Sequence, residues 1–178
     1  MKFESFRDTL FSIALKKGCT AAETYFAQGD QFSADVLEQE LNRYSVSNLF
    51  GLGLRVQLDG KDGYAYTEAL ENPEALVDAA MDNARAIDSS DEHPMQGKCE
   101  YRTVNAQKNP LSALSEHERI ALALELETLT KAEDARVDRV SACEIGTEKS
   151  IIRIDNTLGL SAKKERDFGY CVVAPILV

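Results

Sequence analysis

The sequence predicts an α+β fold, a mostly antiparallel sheet packed against about three helices. Three observations carry this reading. Apolar residues recur at spacings of three and four in three separate segments. They alternate at spacing two in several others. Gly-Asp and Asp-Gly pairs stand where alternating segments meet, as hairpin turns require. The order is helix, strands, helix, then helix, strands. A helix followed by two strands occurs twice, with glycines at 29 and 51 and again at 146 and 159, which predicts two similar α/β halves.

Residues 3–17 form the first expected helix, with Phe3, Phe6, Leu10, Ile13 and Ala14 on one face. Lys16 and Lys17 suit its negative end, and Gly18 suits a left-handed cap. Thr24-Tyr25-Phe26 and the alternating Phe32, Ala34 and Val36 predict two strands joined by a tight turn at Gly29-Asp30. Leu52, Leu54, Val56 and Leu58 alternate with Arg55 and Gln57. The run Asp59-Gly60-Lys61-Asp62-Gly63 is a turn, and Tyr64–Thr67 returns as the next strand. Asn72 is placed to cap a second helix, with Pro73 at its first position. That helix has a stripe of Leu76, Val77, Ala80, Ala84 and Ile87 and ends near residues 88–91. Residues 92–114 lack any period and contain Pro94, Gly97 and Pro110, which predicts an internal surface connection. Ser115 and Glu118 have capping-box spacing and open a third helix that runs to about Glu133. Its apolar residues are Ile120, Ala123, Leu124, Leu126 and Leu129, while Glu125, Glu127 and Glu133 read as a solvated face. Beyond Arg136 the chain returns to strands. Residues 140–145 and 150–154 are joined by Gly146–Lys149, a turn follows at Asp155–Gly159, and Phe168, Tyr170, Val172, Ala174 and Ile176 alternate thereafter.

Composition narrows the function. The chain has 178 residues, 20 Lys+Arg against 30 Asp+Glu, and a net charge of −10. The 44% hydrophobic and 28% charged shares are those of a folded globular protein. The acidic balance argues against nucleic acid, since a binder must displace counterions with a positive footprint. The densest basic cluster, Lys163, Lys164 and Arg166, is broken by Glu165 and reads as a solvated strand edge. No apolar stretch approaches the ~20 residues of a membrane span, and early acids argue against a secretion signal. A cytoplasmic protein without membrane contact is expected. Cys19, Cys99, Cys143 and Cys171 form no paired spacing, so reduced, buried, structural thiols are expected. The chain stops inside the apolar run Cys171–Val178, which predicts a piece of a longer polypeptide.

No catalytic, metal or cofactor-binding residue can be singled out. His117-Glu118 begins like a metallopeptidase helix, but one turn on stand Ala121 and Leu122, and capping already explains Glu118. His93 has no ligand-spaced neighbour. Gly51-Leu-Gly53 lacks the third glycine of a dinucleotide fingerprint and continues as a strand where that fingerprint opens a helix. Its glycines instead permit a bulge or a close backbone approach. A hydrolase built on Cys143 or Cys171 would need an activated thiolate, for which nothing in the sequence speaks.

One segment goes beyond general patterning. Gly51-Leu-Gly53-Leu-Arg55-Val56, the Asp59-Gly60 turn and Gly63-Tyr-Ala65 resemble the signature hairpin of the TldD/PmbA (TldE) family, once called modulators of DNA gyrase. The flanks agree in order: a first helix, an Ala-Ala-Glu23 strand, and a helix ending Asn83-Ala-Arg85. Asn156-Thr-Leu-Gly159 is similar to the family's Asn-Ser-x-Gly turn, with Thr157 in the Ser position. The family-signature residues are therefore Gly51, Gly53, Arg55, Asp59, Gly60 and Gly63 in the hairpin, with Asn156 and Gly159 in the turn.

The resemblance implies that residues 1–178 are the N-terminal domain of a longer protein, ending before a C-terminal β-rich domain. It implies a role as a non-catalytic part of a cytoplasmic metallopeptidase complex that trims unfolded peptides. Zinc is then expected only in a TldD-type partner or in the missing domain, and none in this chain. The implied partners are a TldD-like subunit or a second copy, and an extended peptide substrate. The wording of the hairpin and the Asn156 turn lean toward the PmbA branch. The alternative is a free-standing protein- or ligand-binding α+β domain with no peptidase connection, which the coding sequence beyond Val178 would distinguish.

Overall fold

The computed structural model describes residues 2–88, 93–102, 104–105 and 107–178. Its elements are α1 (Phe3–Lys16), β1 (Ala21–Leu37), β2 (Glu40–Leu58), β3 (Lys61–Thr67), α2 (Pro73–Ala86), a short 3-10 turn (Pro110–Ala113), α3 (Glu116–Glu133), β4 (Val137–Asn156) and β5 (Ser161–Leu177). The strands form one five-stranded antiparallel sheet in the order β3-β2-β1-β4-β5. The fold is α+β, as the periodicities predict. Residues 89–91, at the expected end of α2, and residues 92, 103 and 106 of the expected connection lie outside the described residues.

The chain makes two compact units, each assembled from separate stretches. The first comprises Met1–Gln28, Phe50–Val104 and Ile151–Lys164; the second comprises Gly29–Leu49, Asn105–Ser150 and Glu165–Val178. Apolar stripes explain both interiors. In the first unit Phe6, Leu10 and Ala14 of α1 and Val77, Ala80, Met81 and Ala84 of α2 bury against Ala22 and Phe26 of β1 and against Leu52, Leu54 and Val56 of β2. Each strand contributes alternate residues, as a sheet with one covered face must. In the second unit Ala123 of α3 joins Phe32, Ala34 and Val36 of β1 and Val140, Cys143 and Ile145 of β4.

The local signals of α1, α3 and the β2–β3 hairpin hold. Gly18 takes φ +96° beyond α1. The Ser115 hydroxyl accepts from the Glu118 amide at 3.3 Å, and the Glu118 carboxylate accepts from the Ser115 amide at 2.7 Å. The Ser115 hydroxyl, which donates to the same carboxylate at 2.7 Å, and then the Ser115 amide hold the Glu118 carboxyl below its ordinary pKa. Asn72 stands before α2, but with φ +49° and no side-chain cap bond, so Pro73 alone marks that end. Ile87 leaves the stripe and is exposed, and Leu129 of α3 is likewise exposed.

Three expected features differ, each because a distant partner overrides local propensity. Gly29-Asp30 is no turn: β1 runs through it, and Gly29 is needed because a Cβ there would stand 2.7 Å from the Lys149 carbonyl oxygen. Gly146–Lys149 is no turn either, since β4 runs from Val137 to Asn156 and Gly146 lies under the Tyr170 ring. The reversal between β1 and β2 falls at Glu38 and Gln39, with φ +54° and +65°, on residues that rarely adopt such angles. Glu127 makes this possible. Its carboxylate is fully buried and accepts from the Glu38 amide at 3.0 Å and the Gln39 amide at 2.8 Å, with Lys131 Nζ at 3.1 Å. It is not part of a solvated face.

Candidate functional site

The family-signature residues gather in the first unit. Alternation on β2 turns Leu52, Leu54, Val56 and Leu58 inward and leaves Gly53, Arg55 and Gln57 on the other face. The β2–β3 register pairs Gly53 with Tyr66, Arg55 with Tyr64 and Gln57 with Asp62. Arg55 and Asp62 are therefore diagonal cross-strand neighbours, and Arg55 Nη2 donates to Asp62 Oδ2 at 2.7 Å. Arg55 also donates to the His93 carbonyl, to which Gln57 Nε2 donates at 3.1 Å. Burial alone would lower the Arg55 pKa; the bond to Asp62 and the surrounding negative groups raise it on balance, so the cation is firmly held.

Glu23 of β1 links this hairpin to the Asn156 turn. One of its carboxylate oxygens lies 4.0 Å from Arg55 Nη1, and the other accepts from Asn156 Nδ2 at 3.0 Å. Asn156 also donates to the Gln96 carbonyl at 2.8 Å, and its Oδ1 accepts from the Leu158 and Leu160 amides, each at 3.0 Å. The side chain thus closes the turn in which Gly159 takes φ +91°. The Thr157 hydroxyl accepts from the Ala22 amide at 3.0 Å, tying the turn to β1. Two signature segments about a hundred residues apart form one polar network.

The glycines divide by role. Gly60 follows Asp59 at φ +75° and +52° respectively, completing the reversal. Gly63 is a close approach: a Cβ there would stand 1.9 Å from the Ala80 carbonyl oxygen of α2. Gly51 has open space, and a Cβ on Gly53 would meet Tyr25 no closer than 3.8 Å. Neither is forced by crowding, contrary to the expectation of a bulge or close approach there.

Over Gly53 opens a groove of about 440 Å³, bordered by Glu23, Tyr25, Arg55, Tyr64 and Tyr66. The three tyrosines are 49%, 55% and 78% exposed, a large aromatic presentation for one sheet face. Arg55, which borders the groove, keeps its buried Nε without a hydrogen-bond partner, as does Oδ1 of the Asp62 it holds. An apolar floor with a few convergent polar groups is the usual make-up of a ligand site. The sequence pointed to Arg55 and Asn156 but not to Asp62, Glu23 or the tyrosines as a set; the Arg55–Asp62 pair was recoverable from hairpin register once the turn was fixed at Asp59-Gly60.

Among the described residues the two histidines gather no zinc-binding set. His117 is exposed on α3, and His93 Nδ1 reaches only to 4.0 Å from Asp62, which Arg55 already holds. Among the described residues no group of three or more His, Cys, Asp and Glu side chains gathers to hold a metal. Cys143 is buried, its thiol pKa raised foremost by that burial, the opposite of an activated nucleophile. Cys19 is buried too, but Cys99 and Cys171 are exposed, so the expectation of four buried thiols holds for two. Among the described residues no helix is long and apolar enough to cross a membrane.

Residues 22–84 match the family model described as PmbA/TldA metallopeptidase domain 1. No curated protein matches the chain. Among solved structures, a protein from Thermotoga maritima described as a candidate modulator of a DNA gyrase has a TM-score of 0.90 and 29% identity over 99% of this chain and 40% of that one. A similarly described protein from Bacteroides thetaiotaomicron (TM-score 0.82, 17% identity, 98% and 41%) and TldE from Thermococcus kodakarensis (0.80, 16%, 97% and 39%) share the fold. The chain spans about two-fifths of the length of these structures. The family model over residues 22–84 and the shared fold together support a domain similar to the N-terminal domain of the PmbA/TldD family.

Proposed function

We propose that this chain is a non-catalytic part of a cytoplasmic PmbA/TldD-type metallopeptidase complex that trims unfolded peptides, and that its first unit holds an extended peptide. The observation that carries the reading is the tyrosine-lined groove over Gly53, with the Arg55 cation at its border. Tyrosines offer large contact area at little conformational cost and tolerate many side chains, which suits an enzyme that reads unfoldedness more than sequence. Outer strands β3 and β5 add main-chain groups of the kind that pair with an extended chain. Zinc and bond cleavage belong to a TldD-like partner or to a domain outside these residues, with assembly through a heteromeric or homomeric contact.

The test has two parts. The purified chain is expected to hold no stoichiometric zinc by elemental analysis and to cleave no peptide. It is expected to bind an unstructured peptide, with Tyr64→Ala and Tyr66→Ala weakening binding about 5- to 30-fold, as loss of an aromatic anchor does. Chelator-sensitive cleavage by this chain alone, or binding indifferent to both tyrosines, would overturn the proposal.

A further inference from the structure

The second unit holds a different kind of cavity. It has a volume of about 170 Å³ and is bordered by Phe32 of β1, Val46 of β2, Arg119 of α3, Ser112, and Thr147 and Lys149 of β4. Arg119 is half-buried, with its guanidinium carbon 4.1 Å from the centroid of the Phe32 ring. Nη1 donates to Thr147 Oγ1 at 2.5 Å and Nε to the Ser115 carbonyl at 3.4 Å. These use two of its five N–H donors. Among the described residues no carboxylate lies within ion-pair distance of Arg119, although a cation withdrawn from water normally has one. Lys149 also lacks one, and its ammonium makes a single bond, to the Ser112 carbonyl at 3.3 Å. The Thr147 hydroxyl accepts from Arg119, which leaves its own proton to give. Ser112 has spent its proton on Asp167 at 2.5 Å. Two acids also border the cavity; Glu116 is engaged by the Tyr44 hydroxyl, and Asp30 is exposed. The unspent donors around Arg119 are a guanidinium edge, a hydroxyl proton and an ammonium, while Asp30 and the second Glu116 oxygen stand as acceptors at the border.

We infer that this cavity binds a carboxylate. Arg119, fixed flat by Phe32 and anchored by Thr147, presents a planar fork matched to two carboxylate oxygens. The Thr147 proton supplies a third bond, and Lys149 adds charge at the rim. The cavity has room for the carboxylate with a few further atoms, so both a small free acid and the carboxy end of a peptide carry the chemistry. The site lies in the second unit and does not depend on the tyrosine groove.

The experiment follows the Arg119 Nε–H signal by 1H–15N NMR in the whole chain during titration with acetate, with trialanine, and with trialanine amide. Acetate and trialanine are both expected to shift the signal, and the amide is not. A shift with trialanine alone assigns the site to peptide carboxy ends. Arg119→Gln is expected to weaken binding by at least about tenfold. Thr147→Val and Lys149→Met, which leave the Phe32 stack in place, are expected to weaken it about three- to tenfold and keep the claim testable should the Arg119 variant not fold. Trialanine and its amide binding alike, or neither acid moving the signal, overturns the assignment.

Discussion

Replacing Gly63 with alanine puts a methyl group where helix α2 already stands. The new Cβ would lie 1.9 Å from the Ala80 carbonyl oxygen, 2.6 Å from the Ala84 amide nitrogen and 2.7 Å from the Ala84 Cβ. None of these atoms belongs to a side chain that can swing aside. Recovering a contact near 3.4 Å asks α2 to move about 1.5 Å from β3. That movement loosens Val77, Ala80, Met81 and Ala84, all buried in the first unit, and draws Asn83 Nδ2 from the Tyr64 carbonyl it now meets at 2.7 Å. Overpacking of this kind costs about 1–3 kcal/mol, and a clash against backbone belongs at the upper end. For a chain of this size about 3 kcal/mol lowers the melting temperature by about 6–12 °C. Gly51 is the internal control. It stands two residues before Gly53 in the same signature hairpin, but nothing lies within 4 Å of its Cβ position. Gly51→Ala is expected to leave stability unchanged or raise it by up to about 1 kcal/mol through the unfolded state. Urea titrations and thermal melts followed by circular dichroism measure both variants. A Gly63→Ala protein melting with the wild type, or a Gly51→Ala protein damaged as badly, would refute the steric account.

Glu127→Gln is expected to cost about 2–3 kcal/mol at neutral pH, because the amide group cannot accept from both turn amides as the carboxylate does. Burial pushes the Glu127 pKa up, but the Gln39 and Glu38 amides and Lys131 outweigh it and hold it below 4.5. Its contribution is therefore complete above the ordinary carboxylate range and disappears as pH falls through the lower folded value, so urea midpoints of wild type and variant should converge on the acid side. Convergence on the alkaline side instead would be fatal to that account. Arg55→Lys keeps the charge but loses the fork, and is expected to cost about 1–2 kcal/mol; its coupling to Glu23→Gln in a double-mutant cycle should be about 0.5–1 kcal/mol. Additive effects would break the proposed network at Glu23. Thiol alkylation read by intact mass should label Cys99 and Cys171 in the native protein and add Cys19 and Cys143 only on unfolding, since burial raises both of their thiol pKa values. Native labelling of Cys143 at the rate of Cys171 would contradict its placement.

Legibility followed the range of the interactions. α1, the Asp59-Gly60 hairpin and the Ser115–Glu118 capping box are closed within a few residues, so the sequence carries their whole physics. Gly29-Asp30 reads as a turn from either neighbour, and only the Lys149 carbonyl, 120 positions away, explains why glycine sits inside a strand. The real turn at Glu38-Gln39 has no glycine or asparagine to announce it, because its acceptors come from Glu127 on α3. By the same token Glu127 looked solvated among Glu125 and Glu133. At the candidate site, resemblance marked Arg55 and Asn156, but the carboxylate joining them, Glu23, read only as part of a strand.

The two units also give the apparent repeat a physical meaning. Helix-strand-strand does recur, as α1-β1-β2 and α3-β4-β5. Yet β1, β2, β4 and β5 each contribute residues to both compact units, so neither unit corresponds to a contiguous half of the chain. Gly29 and Gly146 are equivalent in kind, both mid-strand under a close neighbour, whereas Gly51 lies in an open strand and Gly159 in a turn. The repeat is thus one of element order, not of separable bodies. The same interleaving bears on the family match. Residues 22–84 include the hairpin but stop within α2, and the Asn156 turn lies more than seventy residues beyond. The fold returns that turn to the first unit and ties it to Glu23 and Ala22, both inside the matched segment. Weak on its own, the turn is one physical site with the hairpin, and a change at Asn156 should be felt at Arg55.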